Sequence, residues 1–304
     1  MTDKRLVPDI KTANWTFLLM TVLLLGGSML LVPVIGIGIN TLINELVWIL
    51  GLVLLVSRKK GYSYQESFKL KKADGADLFL SALLGFTIWF PAMFINTIIE
   101  KVISANIGAL DIDIDISFDG SPVQAVLLII SMTVLAPACE ELFFRGFMQS
   151  AYEKYNRRYS WIIVGILFGL FHIPNGISNL VPATMLGLVM SYLMLLTNSI
   201  WPPIVFHAFN NLNAAFLGGI SQIIAESDKI PAWFIIVLLS STIFFIVFLL
   251  ALKKKYSKNE SVDSGFEEEE EKAGQGKFTG MWIAVVILIL FGIMEIWARL
   301  IGLE

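Results

Sequence analysis

The stretch TFLLMTVLLLGGSMLLV, residues 16 to 32, decides the fold class. It carries no charge and no period-two alternation, so it does not read as a β-barrel strand, whose segments alternate apolar and polar over about 10 residues. Extended to its limits at 14 and 37, it is long enough to cross a bilayer as an α-helix, which takes about 20 mainly apolar residues. Eight further segments follow, at 41–57, 76–99, 122–148, 160–173, 179–197, 202–219, 231–252 and 280–300. Three of them, 160–173, 179–197 and 202–219, are short or interrupted. With 56% of 304 residues hydrophobic, 15% charged and a mean hydropathy of +0.75, the chain reads as all-α. The expected architecture is a polytopic membrane helix bundle of about eight or nine transmembrane helices.

The first segment follows Lys4, Arg5 and Lys11. Its apolar run exceeds the usual signal-peptide core and no small-residue cleavage site follows, so a retained anchor is expected. The bias of Lys and Arg in short loops sets the topology. Placing the N-terminus in the cytoplasm collects Arg58, Lys59, Lys60, Lys69, Lys154, Arg157, Arg158 and Lys253 to Lys255 on that side, leaving Lys101, Lys229 and Arg299 outside. The expected location is the plasma membrane, with the lipid bilayer as a partner and no nucleic-acid partner.

The chain divides into a membrane domain at 1–252, a charged cytoplasmic linker at 253–279 and an additional C-terminal helix at 280–304. The linker is polar and rich in Gly and charge, which detaches the ninth helix from the first eight, and its glutamate run at 267–271 reads as a solvated stretch. The loop 58–75 is read either as an interfacial segment, with Tyr64 and Phe68 at i, i+4, or as a solvated basic loop. DIDIDI at 111–116 reads as a lightly structured outer loop. The lone cysteine, Cys139, excludes an intramolecular disulfide and is read as a small apolar residue of a packed helix.

Against this apolar background stands APACEELFFRGF, residues 136 to 147. A charge at mid-bilayer costs about 2.5 to 3.5 kcal/mol, so such groups face a protein interior or a wet cavity. Glu141 and Arg145 lie four apart on one helix face and can neutralise each other. Glu140 projects about 100° away and needs a partner elsewhere. Glu295 and Arg299 repeat the spacing near the outer end of the last helix and are read as an interfacial structural pair.

The chain has 2 histidines. His172 ends an apolar helix in ILFGLFHIPNG, with Phe168 one turn earlier to pack against its ring. His207 and Asn211, at i, i+4, point the same way and offer an N–H and an amide to one oxygen. Glu140 and His172 are equidistant in sequence from Asn156, the apex of the basic turn YNRR, so antiparallel packing puts them level. His207 lies only a few residues past the turn near TNSIWPP. Either that turn dips inward or the 148–159 hairpin rises past it.

These residues resemble the CAAX protease and bacteriocin-processing family of intramembrane proteases, also called the Abi family, whose motifs are EExxxR, FxxxH and HxxxN. Here they read EELFFR, FGLFH and HAFNN, in order, over roughly 122–218. The resemblance implies an intramembrane endopeptidase acting on a membrane-associated protein or peptide, with 1–252 as its protease domain. Glu140 and His172 would activate water, His207 and Asn211 would stabilise the oxyanion, and Glu141, Arg145 and Phe168 would support the site or contact substrate. No cofactor is expected on this mechanism. The alternatives are a zinc site of His172, His207 and Glu140, and a non-catalytic immunity or scaffold protein or proton-coupled transporter, in which buried Glu and His relay protons.

Overall fold

The structure, a computed structural model, describes residues 7–109, 122–227, 229–257 and 276–302. The DIDIDI loop, the glutamate run and most of the linker lie outside the described residues. Six stretches are apolar and long enough to cross a membrane: Ile10–Lys60, Gly75–Asn106, Pro122–Asn175, Ile177–Thr197, Ala232–Ser257 and Thr279–Ile301. The first and third hold 51 and 54 residues. At about 1.5 Å per residue each is far longer than a bilayer.

Both long stretches fold back. In the first, Gly36 adopts φ 75°, a conformation that costs glycine little, three residues after Pro33. The second arm returns along the first, and Asn40 and Asn44 donate to Ser28 Oγ at 3.1 and 3.0 Å. We label these arms α1 (10–35) and α2 (37–60). In the third stretch Asn156 leaves helical geometry and its side chain accepts from Tyr159 N at 3.2 Å, capping the returning arm. These arms are α4 (122–155) and α5 (157–171), and their apex is the basic turn expected from the sequence. The remaining long helices are α3 (Gly75–Asn106), α6 (Leu180–Thr197), α7 (Trp201–Leu217), α8 (Ala232–Ser257) and α9 (Thr279–Ile301). The described residues form no strand, and the fold is an all-α polytopic bundle.

Small residues let the site-bearing helices approach closely, the usual device where lipid tails supply no hydrophobic drive. A β-carbon on Gly187 of α6 would lie 2.5 Å from the Gly165 carbonyl oxygen of α5, and one on Gly85 of α3 would lie 2.1 Å from that of Phe206 on α7. Phe17, Phe143, Phe144, Phe147 and Phe168 fill the centre, each fully buried. The bundle exterior is also apolar: Leu30, Val34, Ile236 and Trp282 are all exposed, as a lipid-facing surface requires.

The basic loop 58–75 is not a merely solvated one. Ser63 caps a short helix, Tyr64–Ser67, by accepting from Glu66 N. Phe68 is buried, stacks on Tyr64 and lies against Gly146 of α4. Lys69 pairs with Glu153; burial holds its ammonium below the ordinary lysine range, and the Glu153 carboxylate opposes that shift. The same loop fixes the level of the turn before His207 relative to the hairpin. Lys69 O accepts from Ile200 N at 3.2 Å and Lys71 O from Ser199 Oγ at 2.7 Å. The turn before α7 therefore sits beside Glu153, and the Asn156 apex rises past it.

The ninth helix is not detached from the others. α9 packs along α1, where Asn14 donates to Lys277 O at 2.9 Å and accepts from Tyr152 at 2.7 Å. At the other end Arg299 donates to Glu295 and to Glu100 of α3, both at 2.7 Å, and Glu295 accepts from Ile177 N at 2.8 Å. The expected interfacial pair thus clamps α3, α9 and the turn after His172. Polarity of the connecting segment says only that it is solvated; the apolar face of α9 and its charged end decide where the helix docks.

The Gly85 contact sets the spacing of α3 and α7 one residue before His207. Gly85→Ala is expected to destabilise the fold by about 1 to 3 kcal/mol, since neither backbone can yield without moving a helix. Thermal unfolding of the purified chain in detergent checks this.

Candidate active site

Glu140 and Glu141 lie on α4 beside a π-helical segment, Leu142–Met148, that carries Arg145. A second π-segment, Ser131–Leu135, precedes them. Such segments widen a helix locally, release a carbonyl from the regular ladder and recur at functional sites. The released Met132 carbonyl accepts from Asn211 Nδ2 of α7 at 2.9 Å.

Glu141 and Arg145 form the expected pair, Nη1 to Oε1 at 3.0 Å, with both side chains at 0% exposure. The same Oε1 accepts from His207 Nδ1 at 2.9 Å. Arg145 also donates to the Gly187 carbonyl of α6 at 3.2 Å and lies 4.2 Å above the Phe168 ring of α5. A bare guanidinium in this interior would be prohibitive; a carboxylate, a carbonyl and a ring face together compensate it.

Glu140 turns the other way, into a cavity of about 590 Å³ lined by Phe168, His172, His207, Asn210 and Asn211. Its Oε2 lies 3.9 Å from His172 Nε2, too far for a direct hydrogen bond and close enough for one water to touch both. The His172 ring is fixed by its other nitrogen. Nδ1 lies 2.8 Å from the Phe168 carbonyl oxygen, which can only accept, so Nδ1 carries the proton and Nε2 of the neutral ring presents a lone pair towards Glu140. The Phe168 ring packs on His172 with centroids 4.4 Å apart and edge-on to His207 at 5.8 Å.

The motif residues therefore converge as the sequence expects, with two differences. His207 and Asn211 line one cavity, but Nδ1 of the first is spent on Glu141 and one amide hydrogen of the second on Met132. Any donation towards a substrate oxygen comes from His207 Nε2 in its imidazolium form and from the second amide hydrogen of Asn211. Glu141 does more than hold its own helix: it orients His207 from across the bundle. Cys139, adjacent to Glu140, is a free thiol buried among apolar neighbours, as expected.

One acid was missed. Glu45 of α2 sits in a third π-segment, Asn44–Gly51, is 6% exposed and lines the same cavity with Asn44. The signal was present, because Glu45 is the only acid in the segment 41–57 and carries the same insertion cost that singled out Glu140.

With this geometry in place, the similarity to known proteins can be set beside it. Residues 122–213 match the family model described as type II CAAX prenyl endopeptidase Rce1-like. That match falls on the motif-bearing segment and agrees with the resemblance carried by its three motifs. Over 91 residues the chain is 34% identical to a Bacillus subtilis (strain 168) protein named "Putative membrane peptidase YdiL", covering 29% of this chain and 36% of that protein. Over 169 residues it is 27% identical to "Uncharacterized protein YyaK" of the same organism, covering 49% and 54%. The chain thus spans about a third to a half of the curated relatives it matches. No solved structure matches it.

Removing Arg145 leaves Glu141 as a buried, uncompensated charge. Arg145→Met is expected to cost about 3 to 5 kcal/mol, and the double variant Glu141→Gln/Arg145→Met to recover part of that loss, because a neutral pair needs no counter-charge. Unfolding midpoints of the three proteins in one detergent check the order.

Proposed function

We propose that this chain is an intramembrane endopeptidase that hydrolyses a peptide bond of a membrane-associated protein or peptide. The observation that carries it is the pairing of Glu140 Oε2 and His172 Nε2, 3.9 Å apart, on the wall of the cavity that His207 and Asn211 also line. In this mechanism Glu140, with His172, takes a proton from a water held between them, and the hydroxide attacks the scissile carbonyl carbon. The developing oxyanion is met by imidazolium His207 and by Asn211, aligned by Glu141 and Met132. Glu140 then returns its proton to the leaving nitrogen, the C–N bond breaks, and a carboxylic acid and an amine result. The motif match and the membrane-peptidase name of a relative support this class of activity.

We further propose that the protein resides in the plasma membrane with its N-terminus cytoplasmic. The basic residues of the 58–75 loop, the Asn156 hairpin and the end of α8 support this, because they gather at one end of the bundle. The cavity would then receive a peptide or protein tail from the inner leaflet.

The zinc alternative has one observation in its favour. Both histidines give Nδ1 to an oxygen, His172 to a carbonyl and His207 to a carboxylate, the pattern that orients metal-ligating imidazoles. Against it, no three His, Cys, Asp or Glu among the described residues converge closely enough to hold an ion. The metal-free mechanism is therefore the one adopted.

Comparative membrane peptidomics of cells expressing the native chain, Glu140→Gln and His207→Ala tests the assignment. Product peptides should vanish with Glu140→Gln and fall about 100- to 1,000-fold in rate with His207→Ala, the usual effect of losing one oxyanion donor. Identical peptide profiles would refute proteolysis and leave proton-coupled transport or a scaffold role. In detergent, prolonged treatment with a zinc chelator should leave cleavage unchanged; activity that tracks stoichiometric zinc would overturn the metal-free mechanism.

A further inference from the structure

The cavity has a second polar wall that the proposed chemistry does not use. It comes from the N-terminal hairpin, as Ser28 of α1 with Thr41, Asn44 and Glu45 of α2, and lies wholly outside the family-matched segment. Asn40 and Asn44 both give their amide N–H to Ser28 Oγ, which pins the Asn44 side chain and leaves its Oδ1 free to accept.

The unpartnered atoms of this cavity share one character. Among the described residues, the cavity-lining side chains that bury a polar atom without a partner are Asn44 through Oδ1, Glu45 through Oε2, Glu140 through Oε2 and Asn210 through Oδ1. All four atoms are acceptor oxygens. Arg145, the one fully buried cation of the site, is committed to Glu141, Gly187 and Phe168. Glu45 makes no ion pair among the described residues, although it is 94% buried by its 6% exposure. A buried carboxylate without a counter-charge is costly, and a wall of acceptors gains most from a ligand rich in N–H donors.

We propose that Glu45 is a specificity-determining residue, which receives the ammonium or guanidinium of a lysine or arginine side chain of the substrate, with Asn44 Oδ1 as a second acceptor. This rests on the peptidase function proposed above. A lysine ammonium brings three donors and an arginine guanidinium five, against none from an aliphatic side chain of similar length. A substrate lacking them offers Glu45 and Asn44 no donor, and sites built to hydrogen-bond a substrate group discriminate strongly against analogues without it. Two carboxylates sharing one proton would be the rival role for Glu45, and it would affect every substrate alike.

The test uses the full chain in detergent with peptides carrying lysine, arginine or norleucine at each position around the scissile bond. Glu45→Gln keeps the side-chain shape and one acceptor while removing the charge. The native chain should prefer lysine or arginine at one position by about tenfold or more, the worth of one hydrogen bond to a charged group, and Glu45→Gln should lose most of that ratio. An unchanged ratio, or an equal slowing of all peptides, overturns the assignment. Binding of the same peptides to the Glu140→Gln chain, read by fluorescence anisotropy, gives an answer even where nothing is cleaved. Tighter binding of the cationic peptide that disappears in Glu45→Gln/Glu140→Gln supports the subsite; equal binding refutes it. Absence of cleavage by the native chain refutes only the peptidase function.

Discussion

The Arg145 guanidinium sits at the centre of the bundle without solvent contact, and the four helices of the site meet around it. It compensates Glu141 on its own helix, holds a carbonyl of α6 and rests on a ring of α5, while Glu141 reaches α7 through His207. In a low-dielectric interior such contacts are strong and geometrically demanding, so the cation fixes relative position more than it adds stability. His207 and the Phe168–His172 pair are held at their mutual distances because each touches this one charge or its counter-ion. Glu140 is left over, and a left-over buried carboxylate beside a lone-pair nitrogen is the part of the constellation suited to moving protons.

Much of this was legible in the sequence. The helices announce themselves because apolar length is a local property, and the Asn156 apex does so through its basic residues. Equal spacing from that apex placed Glu140 level with His172. The partner of His207 was not legible: both glutamates are near, and choosing between them requires the rotation of α7, which the contact of Gly85 with Phe206 sets. Nor were the π-segments, since no shared residue pattern marks them in the sequence. The commitment of the Asn211 amide to Met132 was not legible either, because it depends on Ala136 N–H bonding Ser131 O in place of Met132 O. Glu45 was overlooked for a different reason, because no motif surrounds it and its depth follows from the fold-back at Gly36.

The cavity is a composite. Residues that match the family supply Glu140, His172, His207 and Asn211, whereas α1, α2 and α9 supply Thr21, Asn44, Glu45, Leu288 and Phe291 to its walls. The motif residues and part of the wall thus come from the family-matched segment, and the rest of the wall from outside it. One chemistry can be kept while the shape and polarity around it are altered, which fits the way function is grafted onto shared folds.

Leu288 and Phe291 give the last helix a meaning beyond anchorage. A chain that ended after α8 would keep every motif residue, yet its chamber would stand open sideways to acyl tails. Related sequences with and without such a terminal helix should therefore differ in whether greasy molecules can slip in from the leaflet, even where their reactive groups are identical.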